Sequence, residues 1–333
     1  MLLPKNVIIA TGSRPRLLPG LEVDGKYVMT SDEALTMGSL PNSIIIVGGG
    51  VIGIEWASML SDFGTDVTVI EYADRILPTE DVEVSKEMQR LLKKKGIKLF
   101  TSAKVLSETL VKDNGVTISA EVKGTQKEFK AEKILVSTGR QANIEGIGLE
   151  NTEIQVEKGV IATTEFYQTK ESHIYAIGDC IGGLQLAHVA SHEGIIAVEH
   201  IAGKNPAPMN YALVSRCIYS SPEAASVGLT EQEAKEKGFN VKIGKFSFKA
   251  IGKALVFGES DGFVKLIADE ETDDLLGVHM IGPHVTDMIT EAGLAMVLDA
   301  TPWEIASTIH PHPTLSEAIG EAALAVDGKA IHS

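Results

Sequence analysis

Cysteine is nearly missing from this 333-residue sequence, with only Cys180 and Cys217 present, far apart and without partnered spacing. Two such residues build neither a disulfide framework nor a cysteine-based zinc site, and they predict a reducing, cytoplasmic setting. Positive charge is short as well. The 30 Lys and Arg stand against 45 Asp and Glu, a formal charge of −15 that repels phosphate backbones and anionic lipid, so no nucleic-acid or membrane partner is expected. Long apolar runs are also lacking: the best candidate, Ile44 to Ile54, is broken by glycines and falls short of the roughly 18 residues that span a bilayer. The N-terminus carries no basic region, apolar core or cleavage site, so no signal peptide is expected. What is present, 44% hydrophobic and 23% charged residues, is the composition of a soluble globular protein with room for about two domains of roughly 150 residues. The 32 glycines exceed what turns alone need and should mark tight backbone sites.

The clearest unit begins at Pro41. Ile44 to Val47 is a β-branched apolar run suited to a strand buried on both faces, and Gly48-Gly49-Gly50-Val51-Ile52-Gly53 leads from it into a helix predicted over Ile54 to Phe63. A second strand, Asp66 to Ile70, delivers Glu71 to its end. Beyond it the pattern predicts an amphipathic helix over Val84 to Lys95, a meander from Val105 to Glu132, and a buried strand at Ile134 to Val136. The stretch Gly146 to Ser172 shows no periodicity that assigns elements. A strand at His173 to Ile177 and a helix from Ala187 to Ala202 follow, and Asn205-Pro-Ala-Pro208 marks a boundary. Alternating strands around Arg216, Ala225, Val241, Gly262 and Leu275, with helices at Glu231 to Lys237, Val285 to Leu298 and Ser316 to Ala325, then predict an α+β half.

The Gly48, Gly50, Gly53 turn carries the strongest chemistry. Glycines there allow a tight turn, close approach of a pyrophosphate and close helix packing, while the helix N-terminus faces the phosphates. Glu71, at the usual spacing of about 20 residues, can accept hydrogen bonds from a ribose diol and repels a 2′-phosphate, which favours NAD over NADP, although Arg75 is close enough in sequence to weaken that preference. The bland alternative is a glycine turn that only packs. Val7 to Ser13 and Ile134 to Arg140 each bring Thr-Gly to a strand end, a place where open α/β sheets bind ligands and also an ordinary terminus. Asp179 is either a helix cap or a partner for a ribityl or ribose hydroxyl. In His310-Pro-His-Pro-Thr-Leu-Ser-Glu317, two prolines stiffen the loop and Glu317 sits where it can reach back to His312, which suits general acid–base chemistry; a histidine packed in a proline-rich turn is the alternative. His188 and His192 have metal-ligand spacing, with Glu193 and His200 near, but no further ligand completes a set, and no metal is expected.

In this order the segments resemble the flavoprotein disulfide reductases, and the His-Pro-His-Pro-Thr-Leu-Ser-Glu run resembles their lipoamide branch. The resemblance extends over the whole chain and rests on Ala10 to Ser13, Gly48 to Glu55, Glu71, Ser137 to Arg140, Ala176 to Asp179, Gln185 to His188 and His310 to Glu317. It implies an α/β fold: a Rossmann-type NAD domain over residues 37–140, the remnant of a split FAD domain in 1–36, a central FAD-contacting segment in 141–208, and an α+β dimerisation domain in 209–333. It further implies oxidation of dihydrolipoamide with NAD via FAD by a homodimer that serves the lipoylated acyltransferase of a 2-oxo acid dehydrogenase complex. Gly48, Gly49, Gly50, Val51, Ile52, Gly53, Ile54, Glu55 and Glu71 would hold NAD, with Val105 and Gly139 lining the same site. Thr11, Gly12, Ser13, Asp179, Gln185, Leu186, Ala187 and His188 would contact FAD. His312 would be the base for the dithiol, supported by Glu317, and would work on the partner subunit's flavin and disulfide.

The departures are as informative. The family's leading FAD strand, glycine turn and Cys-x4-Cys redox pair are not in this sequence, which is therefore expected to be a C-terminal portion, inactive alone. Glu55 pairs in the family with a lysine beside those cysteines, so here it is expected to lack its usual partner. Another flavoprotein reductase, or a non-catalytic NAD-binding and dimerisation module, are the competing expectations.

Overall fold

The computed structural model describes residues 3–332, which separate into two units: Leu3–Arg16 with Gly139–Tyr211, and Leu17–Thr138 with Ala212–His332.

The smaller unit is built around a parallel pair, Val7–Ile9 beside Ile174–Ala176, and an antiparallel pair, Ser13–Pro15 beside Arg140–Ala142. The stretch that sequence periodicity left blank contains a short 3-10 turn, Leu149–Asn151, a hairpin of two-residue strands, Val156–Glu157 with Val160–Ile161, and a single bridge from Gln168 to Tyr175. Elements this short carry no period to detect. The helix Ala187–Ile201 follows the turn Gly178–Ile181.

The larger unit holds a five-stranded parallel sheet ordered Val28–Met29, Lys133–Val136, Ser43–Val47, Asp66–Ile70, Lys98–Phe100. Because successive side chains on a strand point to opposite faces, Ile44 and Ile46 enter a core with the helices Val51–Asp62 and Val82–Lys94, while Ile45 and Val47 enter another with the meander Ala103–Lys112, Val116–Val122, Thr125–Ala131. That explains the unbroken apolar run. The helix Val82–Lys94 buries Val84, Met88, Leu91 and Leu92 at helical spacing, is capped by Asp81, whose side chain accepts the Glu83 N–H, and ends on Lys93 and Lys94, which suit the negative end of its dipole.

Past Ala212, five antiparallel strands run in the order Arg216–Ile218, Glu223–Gly228, Leu275–Gly282, Phe263–Asp269, Val241–Ser247. One face packs on the helices Val285–Val297 and Glu317–Ala325 through Ala225, Val264, Leu266, Val278 and Met280. The other face sends Ile218, Ala224, Phe263 and Ile281 into the core that contains Ile44 and Met88, so the parallel sheet and this sheet are sealed by one apolar cluster.

On that same face the strand register aligns Arg216, Ser226, His279, Lys265 and Lys245 in a polar row across all five strands. The row meets the start of the helix Val82–Lys94. Ser226 Oγ donates to Glu80 at 2.7 Å, Lys265 Nζ donates to both Asp81 oxygens at 3.2 Å and lies 2.9 Å from Glu83, and Lys245 Nζ donates to Glu83 at 2.7 Å. Lys265 also donates to Glu231 at 2.6 Å and is 1% exposed. His279 is fully buried; its Nε2–H donates to Leu229 O at 2.8 Å, and its Nδ1 meets no partner among the described residues. Burial pushes its pKa down, so the ring is neutral and Lys265 is the deeply buried cation of the row.

Candidate functional site

The glycine turn is tight enough to exclude side chains. Gly48 has φ +113°, and a Cβ on it would lie 2.4 Å from Ser137 O; a Cβ on Gly53 would lie 2.0 Å from Gly48 O. Ser137 N–H and Oγ–H meet Val47 O at 2.8 and 3.1 Å, which ties the end of one strand to the turn of the next. Gly50 is different: it is the N-cap of the helix Val51–Asp62, makes no side-chain cap and has open space where a Cβ would be. Uncapped N–H groups at a helix start, facing open space, fit an anionic phosphate.

Glu71 closes the other side. Its carboxylate accepts the N–H groups of Gly49 and Ala73, each at 2.5 Å, so the ion that sequence spacing assigns to a ribose is brought to the turn itself. Val105 stands two residues past Ala103, whose N–H bonds Glu71 O at 2.9 Å. Val51, Ile52 and Ile54 form the first turn of the helix, with Ile54 fully buried. Arg75 turns away, donating to Pro78 O at 2.8 Å.

Glu55 is not left alone. Its Oε1 accepts the Tyr219 N–H at 2.8 Å, a backbone partner that side-chain motifs do not reveal, and burial pushes its carboxyl up while this bond pulls it back. This backbone amide stands where the family's lysine partner would be expected.

The histidine loop lies in the same unit. His312 Nδ1 is 2.8 Å from Glu317 Oε1, and Glu317 Oε2 accepts the Thr314 N–H at 2.8 Å. Burial alone would raise the Glu317 carboxyl, but the His312 and Thr314 bonds hold it below its ordinary value. As an anion it fixes Nδ1 as the protonated nitrogen and leaves Nε2 as the basic one. The His312 side chain is 77% exposed, accessible to a reactant from outside this chain. His310 serves differently: it is nearly buried, bonds Glu291 at 2.8 Å, which raises its pKa, and packs where any side chain on Gly320 would collide with its ring.

In the smaller unit, Ser13 Oγ donates to Asp179 at 2.5 Å, and Arg140 donates from Nε to Ser13 Oγ at 2.6 Å and from Nη2 to Ser13 O at 2.9 Å. Asn143 donates to Gly12 O and Thr11 O at 2.9 and 3.0 Å, and Arg16 N–H bonds Gly139 O at 2.9 Å. Asp179 caps no long helix; the N-cap of Ala187–Ile201 is Leu186, after Gln185 and before Ala187 and His188. Arg140 and Glu193 are the members that motif spacing passed over. Glu193, 2% exposed, accepts the Gly178 N–H at 2.6 Å and the Tyr211 O–H at 2.8 Å, pinning the turn that presents Asp179. His200, its neighbour in the metal reading, instead bonds Tyr175 at 2.8 Å and stacks on Phe166.

Residues 2–194 match the family model for pyridine nucleotide-disulphide oxidoreductases, and 214–323 match the model for their dimerisation domain. The chain belongs to this family. The dihydrolipoyl dehydrogenase of Bacillus subtilis is 76% identical over 333 residues, which are 100% of this chain and 70% of that protein. The dihydrolipoyl dehydrogenase of Zymomonas mobilis is 45% identical over 332 residues, 98% of this chain and 71% of that one. Among solved structures, LpdA of Mycobacterium tuberculosis superposes with a TM-score of 0.88 at 29% identity, over 96% of this chain and 69% of its own. An HOCl-induced flavoprotein disulfide reductase of Escherichia coli gives 0.86 at 27%, over 94% and 72%. Both of these sequence relatives are dihydrolipoyl dehydrogenases, a family of flavoproteins that use FAD and NAD. Among the described residues no helix is long and apolar enough to cross a membrane.

Proposed function

We propose that this chain is the NAD-binding, flavin-contacting and dimer-forming portion of a cytoplasmic dihydrolipoyl dehydrogenase of a 2-oxo acid dehydrogenase complex, catalysing dihydrolipoamide + NAD⁺ → lipoamide + NADH + H⁺. The observation that carries the reading is the His312–Glu317 pair, an exposed imidazole held in one tautomer by an anion 2.8 Å away. FAD and NAD, when bound, supply the acceptors for the electron pair. His312 takes the proton from the substrate thiol at Nε2, and Glu317 stabilises the imidazolium that results. The amides at Gly50 to Gly53 receive the NAD pyrophosphate, and Glu71 exchanges its backbone bonds for the ribose hydroxyls. Ser13, Asp179 and Arg140, a hydroxyl, a carboxylate and a guanidinium already in contact, suit the polar chain of a flavin nucleotide. The lipoylated acyltransferase delivers the dithiol to the exposed face of His312.

Neither Cys180, fully buried, nor Cys217 belongs to a Cys-x4-Cys pair, so the first electron acceptor of the family is not within this sequence. The purified chain is expected to bind NADH in a fluorescence titration but to show little flavin absorbance and no lipoamide turnover. Full turnover by this chain alone would sink the expectation that it is inactive by itself. Glu71→Ala should weaken NADH by roughly 10- to 100-fold, the worth of one charge-assisted hydrogen bond to the ribose at about 1.5–3 kcal/mol. An unchanged affinity would move the ribose elsewhere. A non-catalytic NAD-binding dimer is the second reading, favoured by the missing cysteine pair.

A further inference from the structure

One loop, Glu71–Asp81, lies between the glycine turn and the polar row, and it is anchored to both. Toward the turn, Glu71 accepts the Gly49 N–H, Leu77 N–H donates to Gly49 O at 2.8 Å, and Ile76 Cγ2 is 3.1 Å from where a side chain on Gly49 would begin. At its centre Leu77 is fully buried with φ +48°, a left-handed conformation that a leucine adopts only when its surroundings impose it. Toward the row, Glu80 N–H donates to Leu77 O at 3.0 Å while its carboxylate receives Ser226 Oγ–H, and Asp81 receives Lys265 on both oxygens. The strained residue that touches the turn is thus followed, three and four positions on, by two carboxylates fastened to the antiparallel sheet.

We propose that Glu80 and Asp81, held by Ser226 and Lys265, are positioning residues for dinucleotide binding: they press Leu77 and Ile76 onto Gly49 and set the turn's affinity for NAD without touching it. This rests on the NAD reading of the turn. It gives the buried row a role beyond cohesion, since a row that served cohesion alone would leave Leu77 and the ligand unaffected when one link is loosened.

The test uses the whole chain, with two readouts: NADH affinity by fluorescence titration, and hydrogen exchange of the Gly49 and Leu77 amides without nucleotide. Asn caps a helix about as well as Asp, so Asp81→Asn keeps the cap and removes the charge that faces Lys265. Glu231→Gln removes another Lys265 partner that lies outside the loop. Asp81→Asn is expected to weaken NADH about 5-fold and to speed exchange at Leu77 and Gly49 by a similar factor, while Glu231→Gln leaves both within about 2-fold. A folded Asp81→Asn with unchanged affinity and unchanged exchange overturns the proposal. Should that variant not fold, Ser226→Ala, which removes the hydroxyl that holds Glu80, must show the same two changes, and their absence overturns it equally. If the unmodified chain fails to bind NADH yet Asp81→Asn still speeds exchange at Leu77, the loop is held as proposed and the NAD reading is what falls.

Discussion

Lys265→Met is expected to remove about 3–5 kcal/mol of folding stability at neutral pH, the range seen when one partner of a buried ion pair is deleted. Against a total of about 5–15 kcal/mol for a typical domain, that is a large fraction. The reason lies with what remains. Asp81, 2% exposed, would stay buried without the cation that offsets its desolvation, and Glu231 and Glu83 would lose a shared donor. Burial by itself pushes the Asp81 carboxyl up; the neighbouring His279 and Lys265 and the Glu83 N–H together outweigh it and hold the group below its ordinary value. Glu83 and Glu231 are held low as well, Glu83 against its burial by Lys245 and Lys265, Glu231 by Lys235 and Lys265.

Carboxyls with lowered folded pKa values contribute stability that is present above their unfolded values, about 4, and lost as pH falls through the folded ones. The gap between the unmodified chain and Lys265→Met should therefore be widest at neutral pH and narrow through the carboxylate range. His279 adds a loss common to both, because its folded pKa is lowered and the unfolded ring takes up a proton below about 6.5. Urea unfolding at a series of pH values checks this. A gap under about 1 kcal/mol at neutral pH, or one that widens in acid, would show that Lys265 is not the compensating charge.

Gly53→Ala is the second large effect. The new Cβ would lie 2.0 Å from Gly48 O and 2.7 Å from Ser137 Oγ, two atoms already joined by a 3.1 Å hydrogen bond. The helix must move off the strand, with an expected cost of about 2–4 kcal/mol and a loss of NADH affinity of at least about 100-fold. Gly50→Ala is the contrast, because open space surrounds its Cβ and its φ of −75° suits any residue. Its stability should stay within about 0.5 kcal/mol while NADH binding still falls, since only the ligand would meet the methyl. Melting curves and NADH titrations on the two variants separate packing from ligand approach. If Gly53→Ala binds NADH normally, this turn is not the nucleotide site.

Much of this architecture was legible from local pattern. Ile44 to Val47 announced a two-sided strand because every position was apolar, and the glycine turn was visible because sterics leave no other residue at Gly48 and Gly53. The contact between His312 and Glu317 was legible because prolines and a helix start fix a short reach. The polar row was not. Arg216, Ser226, His279, Lys265 and Lys245 come from five strands, and only the register, a property of pairing rather than of any one segment, lines them up. Glu193 was hidden for a related reason: beside two histidines it reads as a ligand, whereas its partners are a backbone amide and Tyr211. The Tyr219 N–H that receives Glu55 is backbone and leaves no trace in residue type.

The row has a consequence for recombination among relatives. A chimera that grafts another protein's antiparallel sheet onto this nucleotide half would place foreign residues opposite Glu80, Asp81 and Glu83. Arg216, Ser226, Lys245 and Lys265 would have to travel with those three acids as one inherited block, however far apart they stand in the chain.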